Sequence, residues 1–589
     1  MNKIKELRPE LTALLTALLL ASCAGSSAPS AETGAEAPVP VAETTSEPAV
    51  VAPPEEDIDY GSFTEEQLYQ AIVSELGAQR GQLEDAGESY FDLAIETRDL
   101  NIIQRAVQFA AANNDTNALL QLGLLWAEVT PLDTQPHLML SIQFLETGNF
   151  DQALSHMASV IDLGGSMDFS TLSSRTARMT AEARAGLISN LKQLSIDYSE
   201  QQSIRIALVQ MLAQSGEYEQ ALEELKAFTE VTDNNPSLVL LEAQLLQNLD
   251  QLEDAMDVLR NGIREFEDDR SLRSNFARLY IQDEDFENAR AQYEYLFETD
   301  PQDWEALYSM ALLDLELENF ERAITSLSRL IDVDQRKDES QYYTGYSYDQ
   351  MGDLENAIEN YRLVEIGTNN FLPAQNQATI FSIQLGQLED AHAWLSRLSR
   401  GQPRLEVLFT TMESAALIQA GYGDEAGQLL DNALNKYPNE VDLLFARVLY
   451  NDSVNNKEGS EADLHQIILM QPDDSRALNH LGYMLADQTT RYEEALELIE
   501  RAIIISPTDP AILDSLAWAL YKLGRYEEAL ENLRRAFADF PDDEVASHLG
   551  EVLWAMGRQE EALQVWQDAL EEEPDSELIK EAMDRLQAS

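Results

Sequence analysis

Alanine returns at Ala221, Ala255, Ala289, Ala323, Ala357 and Ala391, each 34 residues after the last. A small side chain repeated at one fixed interval means that the same close contact is built again and again, which an array of stacked units needs and a single globular core does not. With small drifts the series continues as Ala426, Ser460, Ala495, Ala529 and Ala562, and it runs backwards through a degenerate Leu187 to Ala153, Ala118 and Ala86.

Each alanine lies in a recurring phrase, such as Gly216-Glu217-Tyr218-Glu219-Gln220-Ala221 or Gly524-Arg525-Tyr526-Glu527-Glu528-Ala529. The glycine provides a helix stop, the acidic residues favour the amino end of the next helix, and the alanine lets two helix backbones approach. Twelve residues earlier, or thirteen for Gly482, stands a second small residue, as in Ala243, Ala277, Ala311, Gly345, Gly482, Ala517 and Gly550, marking a first helix. Further core positions follow in the second helix, including Tyr293, Leu533 and Trp566. Pro301, Pro403, Pro438, Pro472, Pro507, Pro541 and Pro574 separate one helical pair from the next, because proline cannot continue a helix interior.

These phrases resemble the tetratricopeptide repeat, whose unit is two antiparallel helices over 34 residues. The resemblance covers about residues 62 to 574 and implies an all-α superhelical solenoid of about fifteen helical hairpins, with a concave groove lined by the first helices. Residues 58–200 read as partly degenerate repeats, 201–574 as regular ones and 575–589 as a polar-faced capping helix. The units around Leu187 and Ser460 depart from the pattern and are expected to be irregular.

The amino terminus reads differently. Lys3, Lys5 and Arg8 precede an apolar run from Leu11 to Leu20, the order of a bacterial secretory signal and too short to span a bilayer. It ends in Leu20-Ala21-Ser22-Cys23, which resembles a lipobox. That resemblance implies a signal peptide over 1–22, a covalent lipid on Cys23 and, with Ala24 following, sorting to the outer membrane on its periplasmic side. Residues 23–57, rich in Ala, Pro, Glu, Ser and Thr, are expected to be a disordered acidic tether.

Cys23 is the one cysteine, so no intramolecular disulfide or Cys-based zinc site is possible. With 39 Lys plus Arg against 106 Asp plus Glu, the formal charge is -67, which disfavours nucleic acid as a partner. Solubility or adaptation to salt explains such acidity first, and selection of basic partners is the second reading.

The six histidines show no metal-ligand spacing, and there is no phosphate loop or nucleophile elbow. No catalytic residue, metal, cofactor beyond the lipid, or small-molecule substrate is therefore expected. His480 and His548 occupy the same repeat position and read first as helix-surface residues, second as groove contacts. Trp566 falls at a core position. Trp518 and Trp554 fall on the face that lines the groove in proteins this chain resembles, together with Asn479, Tyr483, Asp514, Tyr521, Lys522 and Glu551. That aromatic cup with acidic edges suits either partner binding or packing within the superhelix.

The segments Asp509-Pro510-Ala511-Ile512-Leu513-Asp514-Ser515-Leu516-Ala517-Trp518 and His548-Leu549-Gly550-Glu551-Val552-Leu553-Trp554-Ala555 are similar to those of outer-membrane lipoproteins that act as adaptors for a periplasmic carboxyl-terminal processing protease. The resemblance implies a protein-binding scaffold that anchors and activates the protease and brings it substrates, including peptidoglycan hydrolases. A scaffold for outer-membrane assembly or for polysaccharide or pilus export is the alternative.

Overall fold

The computed structural model describes residues 63–587, apart from 171, 174, 175, 177, 178 and 231. The leader over 1–22, Cys23 and the tether to residue 57 lie outside the described residues. Within them the regular structure is helical throughout, with thirty helices, the last of them the expected capping segment Glu577–Gln587, and no strand. No helix among the described residues is long and apolar enough to cross a membrane.

The chain divides into two compact units, Met1–Leu317 and Glu318–Ser589. The division falls between the helices Trp304–Glu316 and Phe320–Asp332.

Within each unit the same local chemistry sets the helix ends. Aspartate caps many first helices: the Asp269 side chain accepts from the Leu272 amide at 2.9 Å, Asp474 from Ala477 at 3.0 Å and Asp542 from Val545 at 2.8 Å. Each satisfies an amide that has no partner inside the helix. Part of the chain's acidity thus has a structural use. At the turn inside a hairpin, Gly524 has φ +77 and donates to the Tyr521 carbonyl, while Arg525 donates back to Leu520. The equivalent turn position is filled elsewhere by Asp250, Glu284 and Asn455, all forced into the same left-handed region.

Hairpins close through the small residues. A β-carbon built on Gly345 would stand 2.9 Å from Tyr361, and one on Gly482 would stand 2.5 Å from Ile499. In both cases the bulky partner lies in the second helix, sixteen or seventeen residues on, and is buried. The 34-residue alanines from Ala221 to Ala357 are fully buried, which is why the interval tolerates no large side chain.

The two units expected to be irregular behave differently. Around Ser460 the expectation is overturned: Lys457–Met470 is an uninterrupted helix. Serine fits the alanine slot, and its buried hydroxyl is satisfied by Asp452 Oδ1 at 2.5 Å and the Val448 carbonyl at 3.4 Å. Around Leu187 the irregularity is present. The helix Ala181–Asp197 is preceded by non-helical residues over 163–170, and Phe169 among them and Leu172 beyond them are buried.

Candidate protein-binding site

Three first helices of the second unit, Ser475–Gln488, Pro510–Lys522 and Asp543–Ala555, present the residues singled out from the sequence. Positions 34 residues apart become neighbours in such a stack, and the centre of the site follows from that. Asp514 and His548 are 34 residues apart, and both Asp514 carboxylate oxygens lie 2.9 Å from His548 Nδ1. Burial works to lower the His548 pKa, but the charge and hydrogen bond of Asp514, with Glu544 and Glu551 behind it, leave it raised.

Trp518 covers the imidazole. The two rings are 3.9 Å apart and nearly parallel, at 21°. Tyr521 stacks on the indole at 5.1 Å, Lys522 Nζ stands 4.5 Å from its centre, and the indole N–H donates to Asp487 at 3.2 Å. With both partners in place Trp518 is only 4% exposed, so its large face packs inside the repeat stack. Tyr483 donates its hydroxyl to Glu544 Oε1 at 2.7 Å, and burial, then the Glu544 charge, pushes its pKa well up.

The remaining predicted residues are less tightly joined. Glu551 is buried and pairs through Oε1 with Arg585, while its Oε2 is buried without a hydrogen-bond partner. Trp554 is half-buried and stacks on the core residue Trp566 at 5.9 Å. Asn479 is half-buried with its Oδ1 unpartnered. Tyr483, Asp514 and Trp518 therefore meet around His548, Tyr521 and Lys522 join them through the Trp518 ring, and Trp554 and Asn479 stand apart.

The first reading of His548, as a helix-surface residue, is corrected: it is 7% exposed because Asp514 and Trp518 enclose it. Sequence reasoning passed over Glu544, Asp487 and Arg585, and it did not pair His548 with Asp514. The signal was there for two of them: His548 follows Asp514 by one repeat, and Arg585 follows Glu551 by one repeat. His480 is engaged too, with Nε2 2.7 Å from Asp452 Oδ2.

A second feature lies on first helices earlier in the same unit. Val407, Leu408, Ile418, Phe445, Ala446 and Leu449 line a cavity of about 320 Å³, and Arg404, Arg476 and Asp442 flank it. Leu408 and Leu449 are 40% and 49% exposed, an open apolar surface beside Arg404, Asp442 and Arg476, the last of which pairs with Asp474.

Comparison with known proteins follows the repeat. A family model described as tetratricopeptide repeat matches residues 280–345, 488–548 and 523–586, and further models of that description match 452–510 and 339–364. The TPR repeat-containing protein PA4667 of Pseudomonas aeruginosa is 33% identical over 497 residues, covering 84% of this chain and 83% of its own length. Cellulose synthase operon protein C of Pseudomonas fluorescens is 24% identical over 257 residues, 41% of this chain but only 18% of that protein. Among solved structures, yeast Tom70 aligns with 89% of this chain and 95% of its own at 13% identity and a TM-score of 0.34. A tetratricopeptide repeat protein from Parabacteroides merdae covers 42% of this chain and 98% of its own, at 17% identity and a TM-score of 0.32.

Proposed function

The chain belongs to the tetratricopeptide repeat family, and from that premise we propose that it is a non-enzymatic adaptor of the cell envelope. In this reading the lipid on Cys23 holds it to the outer membrane, and the repeats recruit and activate a periplasmic carboxyl-terminal processing protease and deliver substrates such as peptidoglycan hydrolases.

The observation that carries the binding role is the cavity between Leu408 and Leu449 with Arg404, Asp442 and Arg476 at its sides. Exposed leucines at a cavity of this size accept an apolar side chain of a partner, and Arg404 favours a neighbouring carboxylate, Arg476 being paired with Asp474. The protease role draws its support from the two carboxyl-terminal segments around Trp518 and His548, and the envelope location from the charge-then-apolar leader ending in Cys23.

The alternative, a scaffold for polysaccharide export, draws support from the partial likeness to cellulose synthase operon protein C. A pull-down of the lipidated chain from envelope extract separates the two. Enrichment of a serine protease whose peptidase rate rises on mixing supports the adaptor; enrichment of glycan-export proteins without a protease rejects it. Leu449→Glu should abolish the capture. Cys23→Ser should move the protein from the membrane fraction to the soluble periplasm, and retention at the membrane would reject the lipid anchor.

A further inference from the structure

We infer that Asp514, Glu544 and His548 form a binding site for a first-row divalent metal ion of the zinc class. Their ligating atoms all lie within 4.8 Å of one another. Tetrahedral zinc with N and O bonds of about 2.0 to 2.2 Å holds its donors about 3.3 to 3.6 Å apart, so small side-chain rotations close the set around an ion. Glu544 and His548 are four residues apart on one helix, hence on one face, and Asp514 faces them from Pro510–Lys522, the first helix of the preceding repeat.

The surroundings fix these donors as the outer shell of a metal site does. Trp518 clamps the imidazole plane at 3.9 Å, and the Tyr483 hydroxyl holds Glu544 at 2.7 Å. Asp514 and His548 are buried, while Glu544 lies at the solvent edge, which gives an ion its way in.

An independent observation points to a cation. Glu551, three residues beyond His548 on the same helix, is 4% exposed, and its Oε2 is buried with no hydrogen-bond partner. The nearby side-chain cations are engaged elsewhere, Arg585 with Glu551 Oε1 and Lys522 with the Trp518 ring and Asp487. A buried carboxylate oxygen left without a partner calls for compensation.

The donor set selects the ion. One imidazole and two carboxylates suit zinc, nickel or cobalt, whereas calcium and magnesium prefer six or more oxygens. Three protein donors leave a coordination position for water or for a carboxylate of a bound polypeptide. The inference concerns the unliganded chain and stands whether or not the partner is a protease.

The test is titration of the purified, chelator-stripped chain with zinc by calorimetry, and with cobalt by visible absorption. One equivalent should bind at micromolar affinity or tighter, and the cobalt form should show the intense bands of a tetrahedral site. Glu544→Gln, at the solvent edge, should weaken zinc binding by about a hundredfold and Tyr483→Phe by about tenfold. Wild-type protein that takes up no saturable first equivalent overturns the proposal, as does equal affinity in Glu544→Gln, which would assign the uptake to scattered surface carboxylates. His548→Gln should abolish the cobalt bands. If that variant fails to fold by circular dichroism, Glu544→Gln still decides the question.

Discussion

Trp566 lies across Gly550 so closely that a β-carbon on the glycine would stand 2.1 Å from the indole Nε1. The indole is fully buried and donates to the Ser547 carbonyl at 3.3 Å, so it cannot swing aside. Gly550→Ala gains up to about 1 kcal/mol of helix propensity but must push two helices apart, and overpacking of that kind costs about 1 to 3 kcal/mol. A net loss of stability is expected in urea unfolding. Combined with Trp566→Leu the loss should be smaller than the sum of the two single losses, because the changes share one contact.

The turn residue Glu284 has φ +58, in the place that Gly524 takes in its own repeat. A side chain in the left-handed region costs about 1 kcal/mol. Glu284→Gly should therefore raise stability by about 0.5 to 1 kcal/mol, less the extra freedom that glycine gives the unfolded chain. A fall in melting temperature would show that the glutamate contributes a contact beyond the turn.

Two histidine sites should respond to pH in opposite directions. His137 and His156 meet through Nδ1 atoms 2.9 Å apart, and burial first lowers both pKa values below the ordinary 6.5, the neighbouring His137 charge adding to the effect on His156. Below that value the unfolded chain binds protons that the folded chain refuses, so the hairpin Thr134–Glu146 with Phe150–Asp162 should weaken as pH falls. His392 is raised instead, chiefly by its hydrogen bond to Glu413 against the opposing effect of burial. Its contribution is complete below the unfolded value and is lost as pH rises through the folded one. Hydrogen exchange from about pH 5 to 8 should show both trends. His156→Phe should remove the first and His392→Gln the second.

The two tryptophans assigned to one face should part company on mutation. Trp518 is 4% exposed, so Trp518→Ala should cost about 3 to 5 kcal/mol of stability. Trp554 is half-buried. Trp554→Ala should cost clearly less stability and, where its outer edge meets a partner, weaken binding by about 2 kcal/mol. Urea unfolding of each variant, with calorimetry against the captured partner, checks the pair; equal stability losses would place both indoles in the core.

The helical array was legible because its cause is local and periodic: the alanine slots, the glycine turns and the proline breaks each state one packing rule. Ser460 misled because it breaks the letter of the pattern while keeping its volume, and Asp452 satisfies the hydroxyl. The face around Trp518 was legible as a set of positions. What those positions touch was not, since Trp518 on His548 and Tyr483 on Glu544 are contacts between different repeats. Periodicity predicts which backbones adjoin, but how far a side chain reaches depends on rotamers that only the packed structure fixes. The irregular stretch before Leu187 has no period at all and left nothing to extrapolate.

The ladder that pairs Asp514 with His548 and Glu551 with Arg585 also limits how this chain can evolve by duplication or loss. Excising the 34 residues 543–576 would preserve every helix boundary, yet it would set Asp514 opposite Ala582 and Arg585 opposite Ala517. A buried carboxylate would then face a methyl group. Whole repeats in this part of the molecule are thus interchangeable as scaffolding but not as circuitry, and a homologue with a different repeat count must rewire both pairs or lose them.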